Sequence, residues 1–190
     1  SDNDTCTYNA DHAPITQQTA GKKKNRRNIH IPTVLSHTDN DPRTFIEICC
    51  SEKSTLATAF EQMNWRVLRI TQQDNILNRA TLQRTIDAIR PGCVIWFSPE
   101  CTGGCTWNTV INQWLSPENA ERVRQQQQKF SRTWTAFKMI LQTAVLAKAR
   151  VYWETTTGNA YRKCKYVKTT LKQHNMQYTN VHGCCFGQCS

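Results

Sequence analysis

Apolar and polar positions follow one another along the chain in a pattern that predicts strands and helices in turn. The stretch WRVLRI (65–70) alternates apolar with polar residues, which is typical of a half-buried strand. The stretch CVIWFS (93–98) is almost continuously apolar, which is typical of a strand buried on both faces of a parallel sheet. The whole pattern predicts five strands, over residues 45–50, 65–70, 93–98, 150–155 and 178–186.

The segments between these strands repeat apolar side chains every three or four residues, which is the helical period. This spacing predicts helices over residues 54–64, 80–90 and 160–174. A long helix begins after Ser116, because serine is a preferred N-cap and Pro117 fits the first helical turn. We expect its glutamine run, 125–128, to be exposed and its inner stripe to consist of Phe130, Trp134, Phe137, Leu141 and Val145.

Strict alternation of strands and helices predicts an α/β fold with a mostly parallel central sheet and helices on both faces. In such Rossmann-like folds, ligands bind at the carboxyl ends of the strands. Cys50, Cys101 and Glu154 each lie at or just beyond the end of a predicted strand. We therefore expect these three side chains at one edge of the sheet, which we call the carboxyl edge.

The chain divides into an arm and one domain. Residues 1–43 show no apolar period and carry the basic run KKKNRR (22–27), so we expect a flexible basic arm. One interpretation of the arm is a solubilising linker. The other is a functional segment, which either tethers nucleic acid or serves as a localisation signal. Residues 44–190 form the predicted domain. No apolar run reaches the roughly 20 residues that a membrane span needs, so we expect no membrane partner.

Positive charge is concentrated in the C-terminal part of the chain. The net charge is +10, and residues 116–190 hold 12 Lys or Arg against three Asp or Glu. A field of this sign attracts polyanions, so we expect DNA or RNA as a partner. The alternative is a solvated basic surface without a specific ligand. The candidate phosphate contacts on the last helix are Arg162, Lys163, Lys165, Lys168 and Lys172.

Ten cysteines raise the question of disulfides or metal. Cys49, Cys50 and Cys93 lie in apolar, strand-like runs, where a thiol behaves as a small hydrophobe. We therefore expect reduced thiols in an intracellular compartment, nucleus or cytoplasm, rather than a secreted protein. A second possibility is a zinc site, because the pairs Cys101/Cys105 and Cys185/Cys189 share one spacing and four thiolates suit tetrahedral zinc.

Four segments of residues 44–190 resemble, in order, motifs of the cytosine-5 methyltransferases, a family within the S-adenosylmethionine-dependent Rossmann-like superfamily. FIEICCSEKSTLATAFEQMNW resembles the first motif of the family, and IWFSPECT resembles its catalytic Pro-Pro-Cys strand. VYWETT resembles its Glu-Asn-Val motif, and VHGCCFGQCS resembles a later segment. The stretch CTGGCTW also resembles methyltransferase-like domains within some retroelement polyproteins.

The resemblance implies a chemistry for particular residues. Cys101 would attack C6 of cytosine, Glu154 would hold the ring N3 and the exocyclic amine, and Trp107 would stack on the base. S-adenosylmethionine would supply the methyl group. The residues that the resemblance implies around this cofactor are Glu47, Cys50, Ser51, Lys53, Asp74, Ser98 and Pro99.

The chain also departs from the family pattern. Ser51, Glu52 and Lys53 stand where the family uses glycine for close approach of backbone to cofactor, and Glu100 replaces the second proline of the catalytic motif. These departures support a second interpretation, a catalytically degenerate module that binds nucleic acid or a protein partner. We also expect that target recognition is supplied by a protein partner or by a larger polypeptide.

Overall fold

A four-stranded parallel sheet forms the centre of the computed structural model, which describes residues 43–181. Its strand order is β2-β1-β3-β4, and every neighbouring pair is parallel. The predicted α/β fold with a parallel sheet is therefore confirmed. The strands are β1 (Thr44–Cys50), β2 (Arg66–Thr71), β3 (Val94–Phe97) and β4 (Arg150–Trp153).

Helices connect the strands in the predicted order, and short helical turns follow β3 and β4. The longer helices are α1 (Thr55–Gln62), α2 (Arg79–Asp87), α4 (Pro117–Leu146) and α5 (Lys165–Gln173). The shorter turns are a 3-10 turn (Thr102–Gly104), a π-helix (Trp107–Asn112) that continues into α3 (Gln113–Leu115), and a second 3-10 turn (Ala160–Lys163).

Side-chain caps fix where three of these helices begin. Ser54, Asn78 and Ser116 are extended residues whose side chains accept hydrogen bonds from backbone N–H groups in the first turns of α1, α2 and α4. These N–H groups have no partner within the helix, so each cap stabilises its helix by about 1 kcal/mol.

The direction of each crossover determines which face of the sheet a helix covers. The connection from β1 to β2 runs one way across the sheet, and the later connections run the other way. Because parallel connections are right-handed, α1 lies on one face, and α2 and α4 lie on the opposite face. On the α1 face, Phe45, Ala57 and Val94 form a small core. The opposite face carries the main core.

Stacked aromatic rings join α4 to the sheet in the main core. Phe97 of β3 stacks on Phe137 with ring centroids 4.1 Å apart, and Trp153 of β4 meets Trp134 edge-on at 4.8 Å. At the N-terminal half of α4, Phe130 stacks on Tyr161 at 3.7 Å. These rings are largely buried and set the height of α4 over the strands.

Three details of the sequence prediction are wrong or fall outside the described residues. Val145 is 51% exposed, because the helical period of 3.6 residues brings the smaller Ala144 to the core instead. The glutamine run is only partly exposed, since Gln127 Nε2 donates to Gly103 O at 3.1 Å. Residues 178–181 form no strand, and the remainder of the predicted fifth strand lies outside the described residues.

The predicted basic arm, apart from residue 43, lies outside the described residues as well. Within residues 43–181, no helix combines the length and the apolar character that crossing a bilayer requires.

A matched pair of substitutions on α4 tests this packing. Leu141 is 2% exposed, whereas Leu146, five residues later on the same helix, is 64% exposed. We expect Leu141→Ala to lower the free energy of unfolding by about 2–5 kcal/mol, because it leaves a cavity in the main core. Leu146→Ala should change it by less than about 0.5 kcal/mol. Urea denaturation measures both, and equal losses would contradict the assigned face of α4.

Candidate functional site

An open cavity of about 560 Å³ lies at the carboxyl edge, where strand order reverses between β1 and β3. This reversal point is the usual ligand position in open parallel sheets. Three loops and α4 form its walls. From β1 and the loop after it, the lining residues are Cys49, Cys50, Ser51, Glu52 and Lys53. The segment 71–77 contributes all its residues except Asp74. The loop after β3 contributes Pro99, Glu100 and Thr102, and α4 contributes Gln126, Lys129, Phe130 and Thr133.

Cys49, at the end of β1, bends the backbone that forms one wall of the cavity. Its backbone is left-handed, with φ of 66°, and the register between β1 and β2 shifts between Ile48 and Cys50. A side chain with a Cβ adopts this conformation at a cost of about 1–2 kcal/mol, whereas glycine adopts it freely. Cys49 therefore adopts a backbone conformation that glycine usually occupies.

Glu47 anchors the loop after β1 and does not line the cavity. The residue is 6% exposed, and its Oε1 accepts a hydrogen bond from Ser54 Oγ at 2.8 Å. Ser54 in turn caps α1. Oε2 is buried and has no hydrogen-bond partner among the described residues. Of the residues that the resemblance implied around a cofactor, Glu47 is thus a positioning residue, whereas Cys50, Ser51, Lys53 and Pro99 line the cavity directly.

Asp74 also lies outside the lining, because its carboxylate is engaged locally. Oδ2 accepts from the backbone N–H and the hydroxyl of Thr71, both at 2.9 Å, and Oδ1 accepts from Arg84 at 2.8 Å. These hydrogen bonds, the backbone N–H of Thr71 first and then Arg84, lower the pKa of Asp74. Gln72, Gln73 and Asn75 line the cavity in its place.

An ion pair forms part of the cavity lining. Lys129 Nζ of α4 lies 2.9 Å from Glu100 Oε2 of the loop after β3, and both residues line the cavity. The Glu100 carboxylate, next to Cys101 in sequence, is thus partnered by an ammonium group. Because both side chains are about half exposed, the pair contributes little to stability and is free to rearrange around a ligand.

The turn that carries Cys101 is held by close packing against the second 3-10 turn. Asn159 Nδ2 donates to Cys101 O at 2.8 Å, and Asn159 is 1% exposed. A Cβ on Gly104 would lie 2.2 Å from Asn159 Oδ1, and one on Gly103 would lie 2.4 Å from the hydroxyl of Tyr161. Both glycines are therefore required by close approach to protein atoms. Pro99, Glu100 and Thr102, which flank Cys101, line the cavity, and Cys101 itself is half-buried.

Glu154 lies after β4 at the same edge, on the α1 face of the sheet. Its Oε2 accepts from Trp96 Nε1 at 3.0 Å and from Ser98 Oγ at 2.9 Å. Ser98 therefore orients Glu154 rather than lining the cavity. The carboxyl group is exposed to solvent while these two bonds fix its direction.

Burial disfavours the thiolate form of the two cysteines at the end of β1. Burial, and then the neighbouring Cys50, raise the pKa of Cys49 to about 12. Burial, and then Glu47, raise the pKa of Cys50 to about 11. A thiol reacts as its thiolate, so these shifts make Cys49 and Cys50 weaker candidates for a nucleophile than a thiol in a more exposed position. No disulfide joins the cysteines of the described part of the chain.

The basic residues predicted to contact phosphates differ in their availability. Arg162 lies over the ring of Tyr178 at 3.9 Å and donates to the Tyr178 hydroxyl and to Thr157 O, so it stabilises local structure. On α5 the lysines lie on the side opposite the buried Val167. The exposed lysines of this region are Lys163, Lys165, Lys168 and Lys172. Trp107 is 61% exposed on the π-helix.

Some residues of the site were not predicted from the sequence. Gln126 and Lys129 face the cavity from α4, and Gln126 Oε1 is buried without a partner among the described residues. Gln126 and Lys129 are three residues apart on α4, a spacing that places both side chains on the same face of a helix. This spacing alone does not indicate that the face lines a cavity. No sequence signal indicated the left-handed backbone of Cys49.

No group of three or more His, Cys, Asp or Glu residues suited to a metal ion occurs within residues 43–181. Cys185 and Cys189 of the zinc hypothesis lie outside that range, so the zinc site stays a prediction. Comparison of the chain with protein-family models, with curated proteins and with solved structures gave no match. The case for a function therefore depends on the fold and the site.

A glycine-to-alanine pair tests the packing of the Cys101 turn. We expect Gly104→Ala to lower the free energy of unfolding by about 1–3 kcal/mol, because the new methyl group overlaps Asn159. Gly158→Ala is the control, since its Cβ would meet only Thr106 Oγ1, at 3.3 Å. Thermal and urea unfolding measure both variants. A Gly104→Ala protein as stable as the control would contradict the described contact.

Proposed function

We propose that this protein binds S-adenosylmethionine in the carboxyl-edge cavity and transfers its methyl group to cytosine in DNA or RNA. The observation that carries the proposal is the position of the cavity. It lies at the point where the strand order reverses, between the loop after β1 and the turn that bears Cys101. Glu154, the second candidate for the chemistry, follows the neighbouring strand β4.

The lining is compatible with an adenosyl cofactor in size and in chemical character. A volume of about 560 Å³ falls within the usual range for small-molecule sites. Ile76, Leu77 and Phe130 offer apolar surface for a purine, and Gln72 and Gln73 offer amides for ribose hydroxyls. The unpartnered, buried Oε1 of Gln126 would accept a hydrogen bond from an amino group of the ligand. Lys53 and Lys129 supply positive charge for its carboxylate.

The bound cofactor would supply an electrophilic methyl group on sulfonium, and the protein would make cytosine nucleophilic at C5. The thiolate of Cys101 would add its electron pair to C6, and the pair of the C5–C6 double bond would move towards C5. Glu154 would stabilise this adduct by hydrogen bonding at N3. C5 would take the methyl group, and the electron pair of the broken carbon–sulfur bond would stay on the sulfur of the donor, which leaves as a neutral thioether. Loss of the C5 proton to a base and departure of the Cys101 thiolate would then restore the ring.

Reading the base also requires that it leave any duplex. Trp107, exposed on the π-helix after Cys101, would stack on an unpaired base when no other protein covers it. The exposed lysines of α5 and the preceding turn would contact phosphates.

Calorimetric titration with S-adenosylmethionine tests the first half of the proposal. We expect saturable binding to the full chain, and we expect Gln126→Leu to weaken it about fivefold because the ligand loses one hydrogen bond. Gln125→Leu is the matched control on the same helix, since Gln125 is exposed outside the cavity and donates to Glu121 Oε1. Absence of binding to the unsubstituted chain would reject the cofactor site.

Transfer of labelled methyl groups to oligonucleotides tests the second half. We expect incorporation into DNA or RNA that contains cytosine and none into cytosine-free sequences of equal length. Cys101→Ser should abolish incorporation, because a hydroxyl is far less nucleophilic than a thiolate, while donor binding persists. Cys105→Ser, four residues later, should retain activity. Equal activity of the two variants would exclude Cys101 as the nucleophile.

One observation favours a second candidate, a module that binds nucleic acid without catalysis. The side chains of Glu52 and Lys53 stand in the cavity wall where close approach of backbone to a cofactor would need glycine. Salt-dependent binding of nucleic acid, with no binding of the methyl donor, would support this candidate instead.

A further inference from the structure

The helix formed by residues 107–115 presents its apolar side to solvent. Trp107 is 61% exposed and Trp114 is 78% exposed, and the residues between and beside them share that side. Its apolar members recur at helical spacing over two turns, which is the pattern of a core-facing stripe. We call these five side chains the apolar stripe: Trp107, Val110, Ile111, Trp114 and Leu115.

The polar side of the same helix is turned towards the protein. Asn108 Nδ2 donates to Thr102 O at 2.6 Å, and Asn112 Nδ2 donates to Asn108 Oδ1 at 2.6 Å. Thr109 Oγ1 donates to Cys105 O at 3.0 Å. All three residues are half-buried. The usual orientation of an amphipathic helix is thus reversed, and exposed apolar surface of this kind marks an interaction site.

Charge identifies the occupant of this surface. Residues 101–117 contain no Lys, Arg, His, Asp or Glu, although the chain as a whole carries a net charge of +10. A polyanion or an anionic lipid surface needs basic groups at its contact, and this helix offers none. Two copies of a +10 protein repel each other least where they meet through an uncharged surface. We propose that the apolar stripe is the interface between two copies of this chain.

The arrangement of the stripe satisfies two-fold symmetry. In a two-fold contact, the same pair of residues meets twice. If residue i of one copy contacts residue j of the other, residue j of the first copy also contacts residue i of the second. Trp107 and Leu115 lie at equal distances in sequence from Ile111, with Val110 beside it. An antiparallel pair of these helices therefore brings Trp107 of one copy against Leu115 of the other, and Ile111 against its own counterpart.

The surface available is suited to the core of such an interface. Aromatic side chains bury roughly 150–250 Å² each when fully covered, so the exposed parts of Trp107 and Trp114 supply about a third of the roughly 800 Å² that each partner of a standard interface buries. Val110, Ile111 and Leu115 add to it. Interface cores are depleted in charge and rich in tryptophan, and this stripe has both properties.

Sedimentation velocity on the full 190-residue chain, over a concentration series through the micromolar range, tests the proposal. We expect a dimer that dissociates on dilution. Ile111→Glu should raise the dissociation constant about 30-fold or more, because it sets two carboxylates against each other at the centre of the contact. Leu146→Glu adds the same charge at an exposed leucine of α4 and should leave the dimer unchanged.

Mixing charge variants separates a lost contact from a lost fold. Equal amounts of Ile111→Glu and Ile111→Lys should restore a dimer, because opposite charges then meet at the two-fold axis. A monomer at every concentration for the unsubstituted chain would overturn the proposal. So would an Ile111→Glu protein that associates as well as the unsubstituted chain. Binding of a single-stranded oligonucleotide to a monomer, with quenching of Trp107 and Trp114 fluorescence, would assign the stripe to nucleic acid instead.

Discussion

Aromatic stacking between α4 and the strands is the interaction on which the arrangement of the site depends. Phe97 against Phe137 and Trp153 against Trp134 fix the helix over β3 and β4. Phe130 against Tyr161 then extends this contact beyond the sheet to the turn after β4. Because α4 is a single helix of 30 residues, the same packing fixes the part of it that forms one wall of the cavity. The core and the cavity are thus positioned by one set of rings.

The parallel direction of the strands gathers the candidate site residues at one edge of the sheet. Each strand ends there, so loops that are distant in sequence become neighbours, and the Cys101 turn and Glu154 follow adjacent strands. Local contacts then refine each position. Asn159 holds the backbone of Cys101, and Ser98 holds the carboxylate of Glu154. The site is therefore a product of the topology first and of side-chain hydrogen bonds second.

The fold was predictable because the spacing of apolar residues distinguishes strands from helices. Strands that alternate with helices along the chain then indicate a parallel sheet. The environments of residues that depend on particular local partners could not be predicted from the sequence. Asp74 is followed by a helix whose Arg84 reaches back to it, and no pattern in the loop indicates that bond. Cys49 adopts a glycine-like backbone without being glycine. The helix at 107–115 combines an uncharged polar side with an exposed apolar side, so its composition resembles that of a loop or a buried element more than a surface helix.

The two walls of the cavity rest on cores of unequal size. The loop of residues 51–53 precedes α1, whose face of the sheet has a core of Phe45, Ala57 and Val94 with a few partly buried neighbours, whereas α4 belongs to the main core. Local unfolding begins where few buried apolar contacts oppose it. We therefore expect the α1 wall to open, and to exchange its amide hydrogens, at a lower free-energy cost than the α4 wall. A molecule bound between the two walls would slow hydrogen exchange chiefly in α1, since it would couple the less stable layer to the more stable one.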